Sequence, residues 1–316
     1  RRQRQMCISD RFSGPDFKAT FDKQSGLLTS YLYKKHEYIL NGQGPRPFFW
    51  RAPTDNDYGA NLPVRLKAWK EASYQEPKAE SFQVTPGSNA TTVKVTYRFP
   101  QTEARWNITY KIYASGVIKV DNRFMAEGDQ APMIPRVGLR MQLPESFTDL
   151  TYYGRGPKEN YRDRRTSQFI GEYAIPVKDM YEPYVRPQEN NHRTDIYWCA
   201  LTDKTQRGLL LIADRTFELN ASNYPLESMD SGDTIDNGAP RTEKTHHRHL
   251  TDPLPEKMVD LFIDYRMMGV GGDDSWGATA HEPYLIRPGK ENAIEYGFSL
   301  VPFDKKEDYK YLIRQY

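Results

Sequence analysis

Along most of this chain, apolar and polar side chains take turns. Val93, Val95, Tyr97 and Phe99 alternate with Lys94, Thr96 and Arg98, and Trp106, Ile108, Tyr110 and Ile112 alternate with Asn107, Thr109 and Lys111. Ile118, Val120 and Asn122 continue the pattern after a turn at Ala114-Ser115-Gly116. Val137, Leu139, Met141 and Leu143 alternate with Gly138, Arg140 and Gln142. A period of two is that of a strand, whose successive side chains point to opposite faces. One face then lies on a core and the other meets water, as in an antiparallel sheet. Residues 17–21 and 28–33, on either side of Asp22-Lys23-Gln24-Ser25-Gly26, predict a hairpin. Further strands are predicted over 195–201, 208–213, 258–266 and 294–301. Connections of a few residues fit a meander of hairpins, not βαβ crossovers. No repeat, heptad or low-complexity block marks a domain boundary. The predicted fold is therefore all-β, one large antiparallel two-sheet sandwich over residues 1–303, with 304–316 as a charged, loose C-terminal tail.

Three stretches break the period. Residues 45–57 are too rich in proline for a central strand and predict an ordered loop pinned by Phe48, Phe49 and Trp50. One short helix should follow, with Asn61 as N-cap, Pro63 in the first turn, and Leu62, Leu66 and Trp69 on one face. Residues 154–193 carry glycines, prolines, charges and tyrosines. A loop of that length inside a compact domain is usually functional or disordered, and the tyrosines argue for order. The third stretch is Met268-Gly269-Val270-Gly271-Gly272-Asp273-Asp274-Ser275-Trp276-Gly277. Its glycines predict a shaped loop with left-handed backbone and close approach to neighbours. An indole beside two carboxylates and a hydroxyl suits a sugar ring, which has an apolar face and a rim of hydroxyls. The alternative is that Trp276 plugs the core and the aspartates cap turns.

Composition narrows the function classes. With 22 tyrosines and 14 phenylalanines in 316 residues, the core should be aromatic. Lys plus Arg is 44 against Asp plus Glu 42, a net charge of +2, which argues against a nucleic acid or other polyanion as partner. The basic runs Arg1-Arg2-Gln3-Arg4 and Arg162-Asp163-Arg164-Arg165 read as solvated or ion-paired. Two cysteines, Cys7 and Cys199, make no disulfide framework and are expected to be unpaired. No run of 18 or more apolar residues predicts a membrane span. The chain starts at Arg1 without a signal segment and reads as an excerpt or processed product, so its compartment stays open.

Four constellations carry candidate chemistry. Arg51 with Asp55-Asn56-Asp57 is either a hydrogen-bonding loop at a sugar site or domain contact, or turn chemistry. Tyr152 to Arg164 sets Arg155 between glycines and reads as a rigid polar loop or an ion-paired surface loop. In Pro183 to Arg193, Glu189 and His192 are a candidate acid/base pair for moving a proton on a sugar; alternatively, Glu189 holds the loop. Thr245-His246-His247-Arg248-His249 has no Cys, Asp or Glu at ligand spacing, with Asp252 closest, so no metal site is assigned. Ser275 lacks a nucleophile-elbow context, and Gly-Val-Gly-Gly-Asp lacks the lysine of a phosphate loop.

Phe49-Trp50-Arg51-Ala52-Pro53-Thr54-Asp55-Asn56-Asp57, the 154–164 loop, residues 184–193 and the 269–276 loop occur in this order in one known domain. It is the C-terminal small-chain domain of the large bacterial β-galactosidases, glycoside hydrolase family 2, and the chain resembles it from about Ser9 to Phe303. The resemblance implies a supersandwich like that of the galactose mutarotases. In that family the nucleophile and the acid/base are glutamates on a (β/α)8 barrel earlier in the polypeptide. The Mg2+ ligands also lie outside this domain. The resemblance therefore implies no catalytic residue, metal or cofactor in this chain, and Mg2+ in the intact enzyme. The carboxylates here should not form the retaining pair, which stands ~5 Å apart across the scissile bond. What it implies here is substrate binding by Trp276 as an aromatic platform. Asp273, Asp274, Glu189, Asn190, His192, Arg155, Asp55 and Asn56 are further candidates from the constellations themselves, with shaping the loop or docking the barrel as the alternative for Asp273, Asp274, Asp55 and Asn56. The implied partners are a β-galactoside, the catalytic barrel of the same polypeptide and further copies in a homo-oligomer, in the bacterial cytoplasm or periplasm, with no nucleic acid or membrane. An autonomous carbohydrate-binding module is the main alternative. A mutarotase-like epimerase using Glu189 and His192 is another, although fold alone does not transfer activity.

Overall fold

The alternating segments become strands. The computed structural model describes residues 9–126, 133–231, 249–274, 277–287, 289 and 292–315. Cys7, His246, His247, Ser275, Trp276 and the basic run at residues 1–4 lie outside them. Strands β1 (Ser9–Ser13), β2 (Phe17–Asp22), β3 (Leu28–Tyr33) and β4 (His36–Glu37) form a small sheet in that order. Twelve more make one large sheet. They are β5 (Arg46–Phe48), β6 (Ala79–Thr85), β7 (Ala90–Phe99), β8 (Ala104–Tyr113), β9 (Ile118–Ala126), β10 (Arg136–Pro144), β11 (Asp149–Gly156), β12 (Phe169–Pro176), β13 (Arg193–Thr202), β14 (Gly208–Ser222), β15 (Met258–Met267) and β16 (Ile294–Phe303).

The large sheet forks at β14, a strand of 15 residues. Its first half, 208–213, pairs antiparallel with β16, which leads on to β9, β8, β7 and β6. Its second half, 218–222, pairs with β15, which leads on to β10 and β5. β13 runs along its other edge through two register shifts. The two branches share an aromatic core. Phe49 meets Trp106 and Phe124 at ring-centroid distances of 5.5 and 5.6 Å, and the Tyr296 hydroxyl donates to the Ile263 carbonyl at 3.0 Å. The small sheet joins the same core through Phe21 on Tyr110 (5.0 Å) and a bond from the Tyr31 hydroxyl to the Gly116 carbonyl (2.6 Å). The all-β antiparallel architecture is as expected, with one small sheet and one forked sheet supplying the layers.

Three features differ from expectation. β10 and β15 are buried on both faces for most of their length, although their polar positions suggested a water-facing side. Their charges pair inside instead: Arg140 donates to Asp260 at 2.8 Å and to Glu227 at 2.7 Å. A side chain at 138 would collide with this arrangement, since a Cβ there would lie 1.7 Å from Asp264 Oδ1.

The proline-rich stretch, expected to be loop throughout, opens with the short strand β5 and ends in a helix. Helix α1 (Asp55–Gly59) starts because the Thr54 hydroxyl accepts from the Asp57 N–H while the Asp57 carboxylate accepts from the Thr54 N–H, a reciprocal cap. The expected helix is split into α2 (Leu62–Arg65) and α3 (Lys67–Tyr74). Asn61 makes no capping bond and sits at φ 56°, a left-handed conformation that asparagine tolerates. Its apolar face of Leu62, Leu66 and Trp69 is buried as the spacing predicts.

Third, the charged tail is docked. Helix α4 (Tyr309–Ile313) lays Tyr309, Leu312 and Ile313 on a small cluster with Val117, Leu210 and Phe303, and Lys34 donates to Glu307 at 3.2 Å. Cys199 is buried in β13 and free. Among the described residues no helix is long and apolar enough to cross a membrane.

Gly138→Ala is expected to destabilise the chain by about 1–3 kcal/mol through overpacking, read as a lower urea midpoint at unchanged slope. Gly289→Ala, where among the described residues no atom lies within 4 Å of the added Cβ, is the control and should leave the midpoint in place. Equal midpoints for the two variants would show that Asp264 gives way freely.

Candidate functional site

The glycine-rich loop leaves the end of β15 with its backbone claimed amide by amide. Met267 N–H donates to Glu218 Oε2 (2.8 Å), Met268 N–H to the Pro135 carbonyl (3.0 Å) and Gly269 N–H to the Tyr284 carbonyl (2.9 Å). Val270 and Gly271 N–H donate to the two oxygens of Asp163 at 3.0 and 2.9 Å. With its amide turned so that both atoms are satisfied, Asn56 accepts from Gly272 N–H and donates to the Asp274 carbonyl, each at 3.2 Å. Arg51 donates to the carbonyls of Met268 (2.7 Å) and Gly269 (3.1 Å). Asp274 closes the loop by accepting from Ala278 N–H at 3.0 Å. Gly277 then passes against α1: at φ 111°, its Cβ would stand 2.3 Å from the Gly59 carbonyl carbon.

Arg51 is buried and gripped by Asp57 in a two-pronged pair, at 3.0 and 2.8 Å. Burial works against its charge, but Asp57 outweighs burial and holds the guanidinium pKa above its ordinary value. Residues 184–193 pack beside it. Glu189 N–H donates to the Ala52 carbonyl (3.1 Å), and Arg186 lies 4.3 Å over the Tyr58 ring and 3.7 Å from Asp55. Glu159 of the 154–164 loop accepts from the Tyr184 hydroxyl, from Arg164 (2.6 Å) and from Asn191 N–H (2.8 Å). All four sequence constellations of the resemblance therefore meet at one edge of the forked sheet.

Beneath this edge lies a buried polar cluster. His192 is 0% exposed; Nδ1 lies 2.6 Å from Asn220 Oδ1 and Nε2 lies 2.9 Å from Glu218 Oε2. Burial alone would lower the imidazole pKa, yet the Glu218 carboxylate outweighs it and raises it. Asn220 in turn donates to Glu189 Oε1 at 3.0 Å and to the Asn190 carbonyl at 2.8 Å. Arg136 stands 3.5 Å from Glu189, 3.2 Å from Asp264 and 4.2 Å over the Phe262 ring. Burial pushes the Asp264 carboxyl up to about 7, against the pull of Arg136 and His192.

The candidates thus fall into groups. Glu189, Asn190 and His192 sit in the interior, 3, 2 and 0% exposed, with their polar atoms engaged by the chain itself. That arrangement holds a loop; it offers a sugar no access to an acid/base pair, so the proton-moving role does not fit the geometry. Arg155 donates to Asp195 (2.7 Å) and to the Gln168 carbonyl (2.8 Å). With Arg165 on the same carboxylate, this keeps Asp195 below the usual range despite burial. Asn56 and Asp274 shape the glycine loop. Asp55 and Asp273 are exposed, Asp273 beside His281. Trp276 is outside the described residues. Of the histidine-rich stretch, His249 is described and exposed. Among the described residues no group of three or more His, Cys, Asp or Glu is placed to hold a metal ion.

Sequence reasoning missed Asp163, Glu218, Asn220, Arg136 and Asp264. Glu218 and Asn220 lie beyond the strand predicted over 208–213 and Arg136 precedes the alternating 137–143, so no pattern marked them. Asp264 stands inside the strand predicted over 258–266, and Asp163 stands in a run of arginines read as solvated or ion-paired.

A family model described as "Beta galactosidase small chain" matches residues 13–300. A β-galactosidase of Priestia megaterium is 34% identical over 274 residues, covering 87% of this chain and 25% of the relative. A β-galactosidase of Lactobacillus delbrueckii subsp. bulgaricus is 33% identical over 275 residues, covering 86% and 25%. The chain spans about a quarter of the length of these curated relatives. Among solved structures, a protein of Escherichia coli K12 provisionally described as an aldose 1-epimerase superposes with a TM-score of 0.51 at 10% identity, over 94% of this chain and 99% of that one. The likeness is one of fold, that of the galactose mutarotases.

The buried cluster sets a pH dependence. Asp264 keeps its proton to about pH 7 when folded, whereas an unfolded aspartate releases it near 3.9. Between those values the folded state binds more protons, so stability falls as pH rises. His192, raised when folded, adds a contribution that is whole below its unfolded value and lost as pH rises through the folded one. Urea midpoints should therefore fall from pH 5 to pH 8, with a slope of up to about 1.4 kcal/mol per pH unit for each proton. Asp264→Asn should flatten the lower part of this fall, and an unchanged profile in that variant would contradict the assignment.

Proposed function

This chain belongs to the β-galactosidase small-chain family, and from that premise we propose that it is the accessory domain of an enzyme that hydrolyses terminal β-D-galactosides. Bond cleavage, by double displacement on two glutamates, belongs to a (β/α)8 barrel of the same polypeptide, where Mg2+ also binds. This domain packs on that barrel and completes its active site with the indole of Trp276, in a homo-oligomeric enzyme.

The observation that carries this reading is the anchored loop. Consecutive amides from Met267 to Gly272 are held by groups outside the loop, and Arg51 and Asn56 hold its carbonyls. Such anchoring is poorly explained by turn chemistry alone. It is what a side chain needs if it is to meet a sugar ring at a fixed place, because a platform that must first be ordered gives up part of its binding energy. A stacking wall remote from the scissile bond assists by orienting the substrate. The epimerase alternative is weakened by the burial of Glu189 and His192, and its fold likeness carries no chemistry.

On a chromogenic β-galactoside, this chain alone should release no product. The full-length gene product should be active, and Trp276→Ala should cost it about tenfold in kcat/KM, the scale of one aromatic contact. Hydrolysis by this chain alone, or a full-length enzyme indifferent to the substitution, would overturn the reading.

A further inference from the structure

We infer that Asp163 is a positioning residue of the substrate site, acting through the glycine-rich loop that carries Trp276. The inference rests on the platform role proposed above and concerns a residue outside the sugar-facing set. Asp163 sits in a tight turn closed by bonds from Tyr161 N–H to the Arg164 carbonyl (3.1 Å) and from Arg164 N–H to the Tyr161 carbonyl (2.8 Å). The turn cannot tilt easily. The Tyr161 ring is buried and stacked on the His192 ring at 5.5 Å, Arg164 covers its other neighbourhood at 5.1 Å, and Arg162 reaches Glu218 at 3.3 Å. From this support the half-buried carboxylate faces the neck of the loop.

Each oxygen takes one amide, Val270 on Oδ1 and Gly271 on Oδ2. The loop wraps so closely that a Cβ on Gly269 would stand 2.5 Å from the Asp163 carboxyl carbon. Two adjacent N–H groups converging on one anion give charge-assisted bonds, about twice as strong as neutral ones. Among the described residues no lysine or arginine forms an ion pair with Asp163; its two oxygens accept from those amides, and its charge also favours the His281 cation. The remaining anchors act elsewhere: Glu218, Pro135 and Tyr284 hold the entry at 267–269, Arg51 holds carbonyls, and Asn56 holds Gly272 and Asp274. Removing the Asp163 carboxylate therefore frees the middle of the loop, between an entry that stays attached and the indole that follows. An asparagine there can still accept one amide but turns an NH2 group toward the other.

The test is a double-mutant cycle in the full-length enzyme, with hydrogen exchange as a second readout. Asp163→Asn should lower kcat/KM on the chromogenic β-galactoside about tenfold, the scale of one charged hydrogen bond. Its split between KM and kcat should match that of Trp276→Ala. The double variant should be no worse than Trp276→Ala alone, because a residue that acts only through the indole has nothing left to position. Exchange should quicken about tenfold in the peptide carrying Val270 and Gly271, with the rest of the domain as protected as before. Additive losses, or an Asp163→Asn enzyme of full activity beside an impaired Trp276→Ala enzyme, would overturn the inference and leave the platform standing. An indifferent Trp276→Ala enzyme would overturn both. Unchanged exchange at 270–271 would refute the clamp itself, whatever the activities.

Discussion

A guanidinium taken out of water has to find a partner for its charge and acceptors for its N–H groups, and the ion pair of Arg51 with Asp57 meets that demand while tying three segments together. Two of its nitrogens hold the carboxylate, and the terminal nitrogens also reach the Met268 and Gly269 carbonyls. The same Asp57 caps α1 by accepting from Thr54 N–H. One buried charge pair thus fixes where the proline-rich loop turns helical and where the glycine-rich loop leaves β15. Stranding either charge would cost about 3–5 kcal/mol, so neither loop moves independently of the other.

The forked sheet makes the edge on which these loops sit. Because β14 pairs with β16 over one half and β15 over the other, the β10 and β15 ladder has structure on both sides. Its second face is then covered while still polar, which requires Arg140 and Asp260 to be matched inside the protein and sets Arg136 3.2 Å from Asp264. Matched charges also guard register. A slip of one residue between β10 and β15 would move the arginines to the opposite face and strand the aspartates. The same cluster supports the 188–193 segment through His192 and Asn220, so the covered face of the fork is also the foundation of the site.

Periodicity carried most of the fold, because each hairpin of the β6 to β9 meander has one dry and one wet face and the alternation reports this directly. It failed where that premise fails. At β10 and β15 an alternating pattern concealed two buried faces, since a paired arginine and an exposed one look alike in sequence. The helix was legible as an apolar face but not in its break, because the left-handed Asn61 is a backbone choice that capping statistics invert. The tail looked loose because its charges outnumber Tyr309, Leu312 and Ile313, whose small apolar face suffices for docking. At the site, the glycine loop, the 51–57 motif and the 154–164 and 184–193 loops were all visible, but not the direction of their bonds. Glu189 and His192 looked reactive because a carboxylate near an imidazole carries the same letters in a catalytic pair and in a structural cluster. Burial separates the two, and burial is a property of β14 and β15, distant in the chain.

The contrast between rigid backbone and exposed side chains at this edge bears on what the domain contributes. Asp55 and Asp273 stand in solvent, while the amides and carbonyls next to them are held from several elements at once. A loop that merely connected β15 to β16 could have its backbone bonds met by water at no cost to the fold. Glycines at positive φ, and the close passage of Gly277 beside Gly59, let the loop follow a course that a residue with a Cβ could not take. Rigidity of this kind fits the platform role proposed for this loop. It matters when a side chain must be met by something outside the domain, at a position set before the encounter.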